Sequence, residues 1–476
     1  GPNYQRPKMP LPANFSEATT RPTTQPAIYD VTANEAQLRR WWTIFNDPEL
    51  NSLIARAIKG NLSLQTSEEQ IREARALRDE AFANLLPMVN VDGSYNHSRT
   101  SGNLGYSNLS SGNSTSSGGT TIVPTNNQHL ENNLYQAGFD STWEIDIFGG
   151  TRRAVEAANA QIDVAIDNRQ DVLVTLLGEV ATDYVTIRGL QLQIQIAQDN
   201  VSAQEQTLTL TKTKSRAGLV SDLSVVQQEA LLMSTEATVP DLQEALHQTI
   251  HALSVLLGEE PGALYAELSK PEPIPVGPGE VPPGLPSQLL LRRPDIRAAE
   301  RSLAAANAEV GVAVADLFPK FSLTGDFGVE SSHSQNLFDY QSRFFDIGPN
   351  MSWPIFSGGQ IQANIDVQNS LDRQALIAYR QTVLTALQQV DDALIAVAKE
   401  QDRRQELEDA VKANQRAVDL TLELYKNGLE DFLDVLTAQA SLFSAQEALA
   451  VSDETVSMNL VALYKALGGG WDVPAK

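Results

Sequence analysis

The chain has 476 residues and a formal net charge of −24; 42% of it is hydrophobic and 6% aromatic, and it contains no cysteine. So acidic a balance excludes the nucleic-acid phosphate backbone as a partner, since binding it takes a basic face. The apolar share is lean for one compact globule, and no apolar run of about 18 residues exists to form a transmembrane helix, so any membrane crossing must be made by strands.

Residues 1 to about 40 are rich in Pro and Thr and have no sustained periodicity, which predicts an extended arm. In the segment Arg40-Trp41-Trp42 to Asp47-Pro48, Asp47 suits an N-cap and Pro48 the first helical position. A helix is expected from there to about Leu86, interrupted near Gly60-Asn61. Residues 88–99 then alternate, with Val89, Val91 and Tyr95 opposite Asn90, Asp92, Ser94 and Asn96. After a Ser/Gly/Asn/Thr tract over Ser101–Asn127, residues 134–146 do the same, with Tyr135, Ala137, Phe139, Trp143 and Ile145 opposite Gln136, Asp140, Thr142, Glu144 and Asp146. Each run predicts a strand with one apolar and one polar face.

From Gly149 to Gly218 the pattern is helical and free of Pro, a rise of about 100 Å at 1.5 Å per residue. Leu173, Leu177, Val180, Tyr184 and Ile187 recur at the three-and-four spacing of coiled-coil contact. His247 and His251 share a helical face, but a zincin needs Glu where Gln248 stands, and no metal site is expected. Lys270–Pro286 carries seven prolines and reads as a linker. Ile296, Ala299, Leu303, Ala306, Val310, Ala313 and Leu317 form the next helical stripe. Two further alternating runs follow. Phe321, Leu323, Phe327 and Val329 oppose Lys320, Ser322, Thr324 and Asp326; Phe345, Ile347, Met351, Trp353 and Ile355 oppose Asp346, Asn350 and Ser352. A second long helical stretch, Gly359 to Gly428, has the stripe Leu384, Leu387, Val390, Leu394, Val397.

The chain repeats itself. Trp143 to Gly149 and Trp353 to Gly359 lie 210 positions apart, as do Arg216-Ala-Gly218-Leu219 and Lys426-Asn-Gly428-Leu429, and Ala252 to Gly258 and Ala462 to Gly468. Ala83-Asn-Leu-Leu-Pro87 and Ala315-Asp-Leu-Phe-Pro319 are offset by 232, so the first copy holds its extra residues between the Pro and the Trp, where the Ser101–Asn127 tract lies. Two copies of one plan are expected: helix, strand, loop, strand, long helix, turn, helix.

An open four-stranded sheet cannot sit in lipid, because its edge groups would go unpaired, so several copies of the chain must pool their strands. The Trp41-Trp42 to Pro48 segment, Trp143 to Gly149, Arg292-Arg293-Pro294-Asp295 and Leu463-Tyr464-Lys465-Ala466-Leu467 with Gly470-Trp471 together resemble the outer-membrane efflux proteins of the TolC superfamily, the OprM-type lipoprotein branch in particular. The resemblance covers almost the whole chain. It implies an α+β, internally duplicated protein whose trimer joins a twelve-stranded transmembrane barrel to a twelve-helix periplasmic barrel with a mixed equatorial domain. The expected division is an arm over 1–47, helical tunnel with equatorial parts over 48–87, 149–269, 287–319 and 359–468, transmembrane hairpins over 88–148 and 320–358, a linker over 270–286 and a tail over 469–476.

The implied function is a passive exit duct without catalysis or cofactor, in the bacterial outer membrane, serving a periplasmic adaptor and an inner-membrane RND-type pump. Type I protein secretion, metal-ion efflux, and a pore-less coiled-coil scaffold or adhesin are the alternatives. The absence of cysteine fits the periplasm. The likeness of Gly1-Pro-Asn-Tyr4 to the mature start of such lipoproteins implies an acylated cysteine upstream. The turns at Gly218 and Gly428 are expected to close the tunnel. There Asp434, Leu433, Asp431 and Glu430, with Asp222 and Leu223 in the first copy, are candidate gate residues, against the plainer reading of solvated helix-start acids. By position Asp434 matches an aperture aspartate and Leu433 an apolar gate residue of relatives, whereas Thr437 and Ala440 replace an Asp and an Arg. Asp92, Asp140, Asp326 and Asp346 are expected to face the barrel lumen.

Overall fold

The computed structural model describes residues 3–16, 38–99, 101, 131–277 and 286–471. Most of the expected arm, nearly all of the Ser101–Asn127 tract, the later part of the linker and the end of the tail lie outside the described residues. The chain divides into two compact units, one of residues 1–4, 76–158 and 306–370, the other of residues 5–75, 159–305 and 371–476.

The first unit holds a four-stranded antiparallel sheet in chain order: β1 (Met88–Arg99), β2 (Glu131–Ile145), β3 (Lys320–Ser331) and β4 (Arg343–Ser352). Paired residues share a face, and the register aligns Val91 with Phe139, Phe327 and Phe345 in one row across all four strands. The neighbouring row, on the opposite face, aligns Asn90 with Asp140, Asp326 and Asp346. The expected two-faced strands are therefore present. The fourth is shorter than expected: it ends at Ser352, because Pro354 has no N–H for the ladder, and Trp353 and Ile355 lie beyond it. Asp146 likewise falls outside β2. Its Oδ2 accepts from the backbone N and Nε of Arg152, at 2.9 and 3.2 Å, and so fixes the turn into the helix that follows.

The two Trp side chains are used alike. Trp143 Nε1 donates to Leu85 O at 2.8 Å and Trp353 Nε1 to Leu317 O at 3.1 Å, each tying a strand to a carbonyl just ahead of its hairpin partner. The helices entering those partners are α2 (Leu62–Ala83) and α7 (Pro294–Ala315), so both stop short of the positions expected, Leu86 and Leu317. Phe148 stacks on Phe318 at 4.7 Å beneath them.

The remaining helices are α1 (Pro48–Gly60), α3 (Gly150–Arg216), α4 (Asp222–Leu256), the short α5 (Tyr265–Leu268) and α6 (Pro286–Arg292), α8 (Gln360–Lys426) and α9 (Phe432–Ala466). Both α3 and α8 have 67 residues, and both α4 and α9 have 35. In the second unit the expected stripe of α3, Leu173 to Ile187, is fully buried. In the stripe of α8, Val390, Leu394 and Val397 are buried as expected, but ahead of them Val383 and Ala386 are buried, Leu387 is half-buried and Leu384 is exposed in the single chain.

Asp47 caps α1 as expected, its Oδ1 accepting from Glu49 N at 2.9 Å and Leu50 N at 3.0 Å. Its other oxygen accepts from Tyr184 Oη at 2.7 Å, which anchors the cap on α3. Trp41 stacks on Tyr464 with ring centres 5.6 Å apart. Arg293 donates to Asp295, Gln389 and the carbonyl of Ala466, the last residue of α9, and so closes that helix end. Buried Arg188 donates to Gln191 Oε1 and Lys270 O, both at 2.9 Å, and its guanidinium lies over the Tyr184 ring. These four side chains, Asp47, Trp41, Arg293 and Arg188, pin the ends of the short elements onto α3, α8 and α9.

Asp183 on α3 is pushed up from 3.8 to about 6, first by burial and then by the charge of Glu179. A carboxyl raised on folding stabilises fully below its unfolded value, and the contribution is lost as the pH climbs through its folded one. Asp183→Asn is therefore expected to raise the unfolding free energy at pH 7.5 by roughly 1 kcal/mol after solvent screening, and the unfolding temperature with it. The gain should shrink as the pH falls through about 6 and vanish below 3.8, measured by circular dichroism in detergent.

Candidate functional site

The turns joining the long helix pairs are built alike. At each, the glycine N–H bonds the carbonyl three residues back and the next N–H the carbonyl five back: Gly218 to Ser215 and Leu219 to Lys214, then Gly428 to Tyr425 and Leu429 to Leu424, all at 2.8–3.1 Å. This double closure needs a left-handed residue, and Gly218 and Gly428 adopt φ of 73° and 74°.

Beyond Gly428 the side chains sort into two sets. Phe432 and Val435 are buried with Tyr425 in a small apolar cluster. Lys214, in the last turn of α3, donates from Nζ to Tyr425 O and lies 4.1 Å from the centre of the Tyr425 ring. A cation on the last carbonyls of α8 is favoured there by the helix dipole. Leu433, Asp434, Thr437 and Ala440 form the other set, all exposed in the single chain, with Leu219, Leu223 and Leu429 exposed at the same turns.

Of the expected gate acids, the structure brings Glu430 and Asp434 together. The Glu430 carboxyl is pushed up by its hydrogen bond to Asp434 and by that group's charge. Asp431 is the N-cap of α9, its Oδ1 accepting from Phe432 N at 2.6 Å. Asp222 accepts from Ser215 Oγ at 2.7 Å across its own turn. Thr437 Oγ1 donates to the Leu433 carbonyl of its own helix at 2.9 Å. Lys214 and Tyr425 escaped the sequence reading. The available signal was a Lys in the last turn of one long helix and a Tyr in the last turn of the other, each just ahead of the turn glycine.

In the first unit, Asp140, Asp326 and Asp346 stand in one cross-strand row, and Asp140 accepts from Asn90 Nδ2 at 3.0 Å. Asp92 is on the same face of β1, opposite Gly138. On the other face Val91, Phe327 and Phe345 are 72%, 59% and 81% exposed in the single chain, a row of uncovered apolar side chains of the kind that meets lipid or another protein. Among the described residues no group of three or more His, Asp or Glu is placed to hold a metal. The His247 ring stacks on Tyr265 at 4.7 Å, with the His251 ring 6.4 Å away.

The two sets at the second turn separate packing from surface. Phe432→Ala is expected to lower stability by about 3 kcal/mol, as for other buried Phe truncations, while Leu433→Ala and Asp434→Ala stay within about 0.5 kcal/mol. Denaturant unfolding followed by fluorescence checks this; equal losses for Phe432→Ala and Leu433→Ala would mean that Leu433 is a packing residue.

The family model for outer membrane efflux proteins matches residues 53–259 and 285–469. The chain is 30% identical to the cation efflux system protein CusC of Escherichia coli, over 99% of this chain and 95% of that one. It is 32% identical to the pyoverdine export outer membrane protein OpmQ of Pseudomonas aeruginosa, over 92% of this chain and 89% of that one. The solved structure of the outer-membrane channel OprN superposes with a TM-score of 0.87 at 33% identity, covering 99% of both chains. A match across both long helix pairs and all four strands, with relatives of nearly the same length, shows that the chain belongs to the outer membrane efflux protein family.

Proposed function

We propose that this chain is the outer-membrane exit duct of a tripartite efflux system, a passive gated channel that receives small molecules from a periplasmic adaptor and an inner-membrane RND-type pump. The observation that carries the reading is the sheet: one face apolar and uncovered, the other bearing a row of three Asp, with β1 and β4 as outer strands. Outer strands cannot face lipid with their backbone groups unpaired, so copies of the chain must join β4 to β1 until the sheet closes. Three copies close twelve strands, the number the family resemblance implies. The apolar face then meets lipid, and Asp92, Asp140, Asp326 and Asp346 line the lumen.

Internal duplication is supported by the equal lengths of α3 and α8 and of α4 and α9, by the paired glycine turns, and by the two matching Trp bonds. The cargo is not set by the family, since relatives of about equal identity are named for cations and for pyoverdine. A cysteine upstream of Gly1 in the native precursor, acylated and anchored in the outer membrane, completes the proposal; the sequence of the precursor gene decides it.

The gate is assigned to Asp434 and Leu433. In a trimer Asp434 becomes a ring of three carboxylates that attracts cations, and Leu433 an apolar collar that resists wetting. Their exposure within one chain leaves both available for a bore. Thr437 and Ala440 provide no ion pair there, so Tyr425, Phe432 and Lys214 supply the local packing. Purified protein should be a detergent-extracted trimer by native mass spectrometry and should conduct ions in planar bilayers. Asp434→Ala should raise single-channel conductance and weaken block by divalent cations, Leu433→Ala should raise conductance, and Thr437→Asp with Ala440→Arg should lower it. A detergent-free monomer without conductance would overturn the duct; unchanged conductance and cation block in Asp434→Ala would move the constriction to Asp222 or Asp431.

A further inference from the structure

The internal repeat extends to the pairing of the strands. Residues of β1 recur in β3 at the offset of 232 set by the two Pro, and those of β2 recur in β4 at the offset of 210 set by the two Trp. Applied to the first hairpin, where Met88 pairs with Thr142 and Val91 with Phe139, these offsets give Lys320 with Ser352 and Leu323 with Pro349. Those are the pairs of the second hairpin. Two hairpins of different sequence keep one register to the residue.

The contact between the hairpins has its own register. There β2 pairs with β3, with Trp143 opposite Leu323 and Asp140 opposite Asp326. The equivalent contact joins β4, the repeat of β2, to the strand that β3 repeats, which is β1. In one chain β1 and β4 are the two outer strands, so the β1 that completes the contact belongs to a second copy. On the reading of the chain as a barrel closed by copies of itself, we infer that β4 pairs with β1 of a second copy in the register of β2 with β3. Trp353 then stands opposite Val91, Asn350 opposite Ser94, Asp346 opposite Ser98 and Phe345 opposite Arg99.

This seam joins like faces and avoids like charges. Phe345 and Val91 lie in one apolar row of the single chain, and the register keeps them on one face across the seam, where a slip by one residue would set apolar against acidic. Inside the chain the polar face sets acid against acid, Asp140 opposite Asp326 and Asp326 opposite Asp346, pairs that repel but are held together by one chain. At the seam the positions equivalent to Asp140 and Asp326 are Asn350 and Ser94. The acids of the outer strands each meet a hydroxyl, Asp346 opposite Ser98 and Asp92 opposite Ser352. Pro349, opposite Tyr95, has no N–H to give, and an outer strand is where a sheet accepts one.

The register also staggers the copies. The row Asn90, Asp140, Asp326, Asp346 continues into Ser98 of the second copy, eight residues beyond that copy's Asn90, a climb of about 26 Å at roughly 3.3 Å per residue. Asp92 of the second copy stands about 20 Å along its strand from the level of Asp346. Both distances exceed the Debye length of about 8 Å in physiological salt, so the three Asp of each row act as a separate strip and the copies do not build a ring of charge. Such a stagger tilts the strands and widens the bore.

This chain has no cysteine, so paired substitutions report the register without background. Asn350→Cys with Ser94→Cys, oxidised in the detergent-extracted full-length protein, should move most of the chain into disulfide-linked dimers and trimers on a non-reducing gel, while either substitution alone leaves monomer. Asn350→Cys with Asp92→Cys or with Asn96→Cys, two residues to either side, should cross-link about tenfold less, because diagonal positions lie beyond the reach of a disulfide. The equivalent pair inside the chain, Asp140→Cys with Asp326→Cys, should close within one chain and add no mass, which checks the oxidation. Met351→Cys with Gly93→Cys repeats the test in the next row if the first pair does not assemble. Stronger cross-linking at a two-residue offset overturns the register, and so does its absence at both pairs in a trimer seen by native mass spectrometry. Failure of the duct reads differently: a detergent-free monomer without conductance overturns the barrel, whereas a conducting trimer linked at an offset pair keeps the barrel and overturns the seam alone.

Discussion

Backbone hydrogen bonding at the sheet edges is the constraint on which the rest depends. Within the described residues β1 pairs only with β2 and β4 only with β3, so each outer strand presents a ladder of donors and acceptors with nothing to receive it. In water that edge would template aggregation; in lipid it would be prohibitive. Assembly with further copies, as proposed, would resolve both. It also explains why Val91, Phe327 and Phe345 can stand uncovered on one face while acids occupy the other.

A second demand follows from making two environments with one chain. Each hairpin must pass into a helix without unpaired groups at the junction, and the same device recurs at both crossings: a Trp at or just past the strand end donates to the carbonyl ahead of the partner strand, and Phe148 stacks on Phe318. At the first crossing Asp146 and Arg152 also lock the turn. The aromatic-to-glycine motif at residues 143–149 and 353–359 is thus a joint. Its Trp is kept for a single N–H donor as much as for its apolar surface.

Along α3 the buried residues change from apolar side chains to amides and hydroxyls. Leu173 to Ile187 pack with the Trp41, Tyr464 and Leu253 core, where Arg188, Asp47 and Arg293 satisfy the polar ends of the short elements. Farther along, Gln204, Gln228 and Gln439 are buried instead, with Gln439 Nε2 donating to Thr207 Oγ1 at 2.8 Å and Gln228 Nε2 reaching Gln204 O at 3.3 Å.

The sequence by itself determined the elements and much of their plan. Period-two runs named four strands, proline-free stretches between glycines named two long helices, which have 67 residues each in the structure, Asp47-Pro48 named a helix start, and matched motifs 210 positions apart pointed to a repeat. These features are local, and the chemistry that dictates them lies within a few residues. Edges decided by competition were less legible: β4 stops before Trp353 because of Pro354 and a distant carbonyl at Leu317, and the buried stripe of α8 runs through Val383 instead of Leu384 because its neighbours choose the face. Asp431 reads in sequence as one more acid beside Asp434, and only the backbone of the turn makes it the cap. The burial of Gln204, Gln228 and Gln439 leaves no mark in the sequence, because an amide shows no periodic signal of its own. Whether it is buried depends on which helices close over it, and that is a property of the tertiary structure alone.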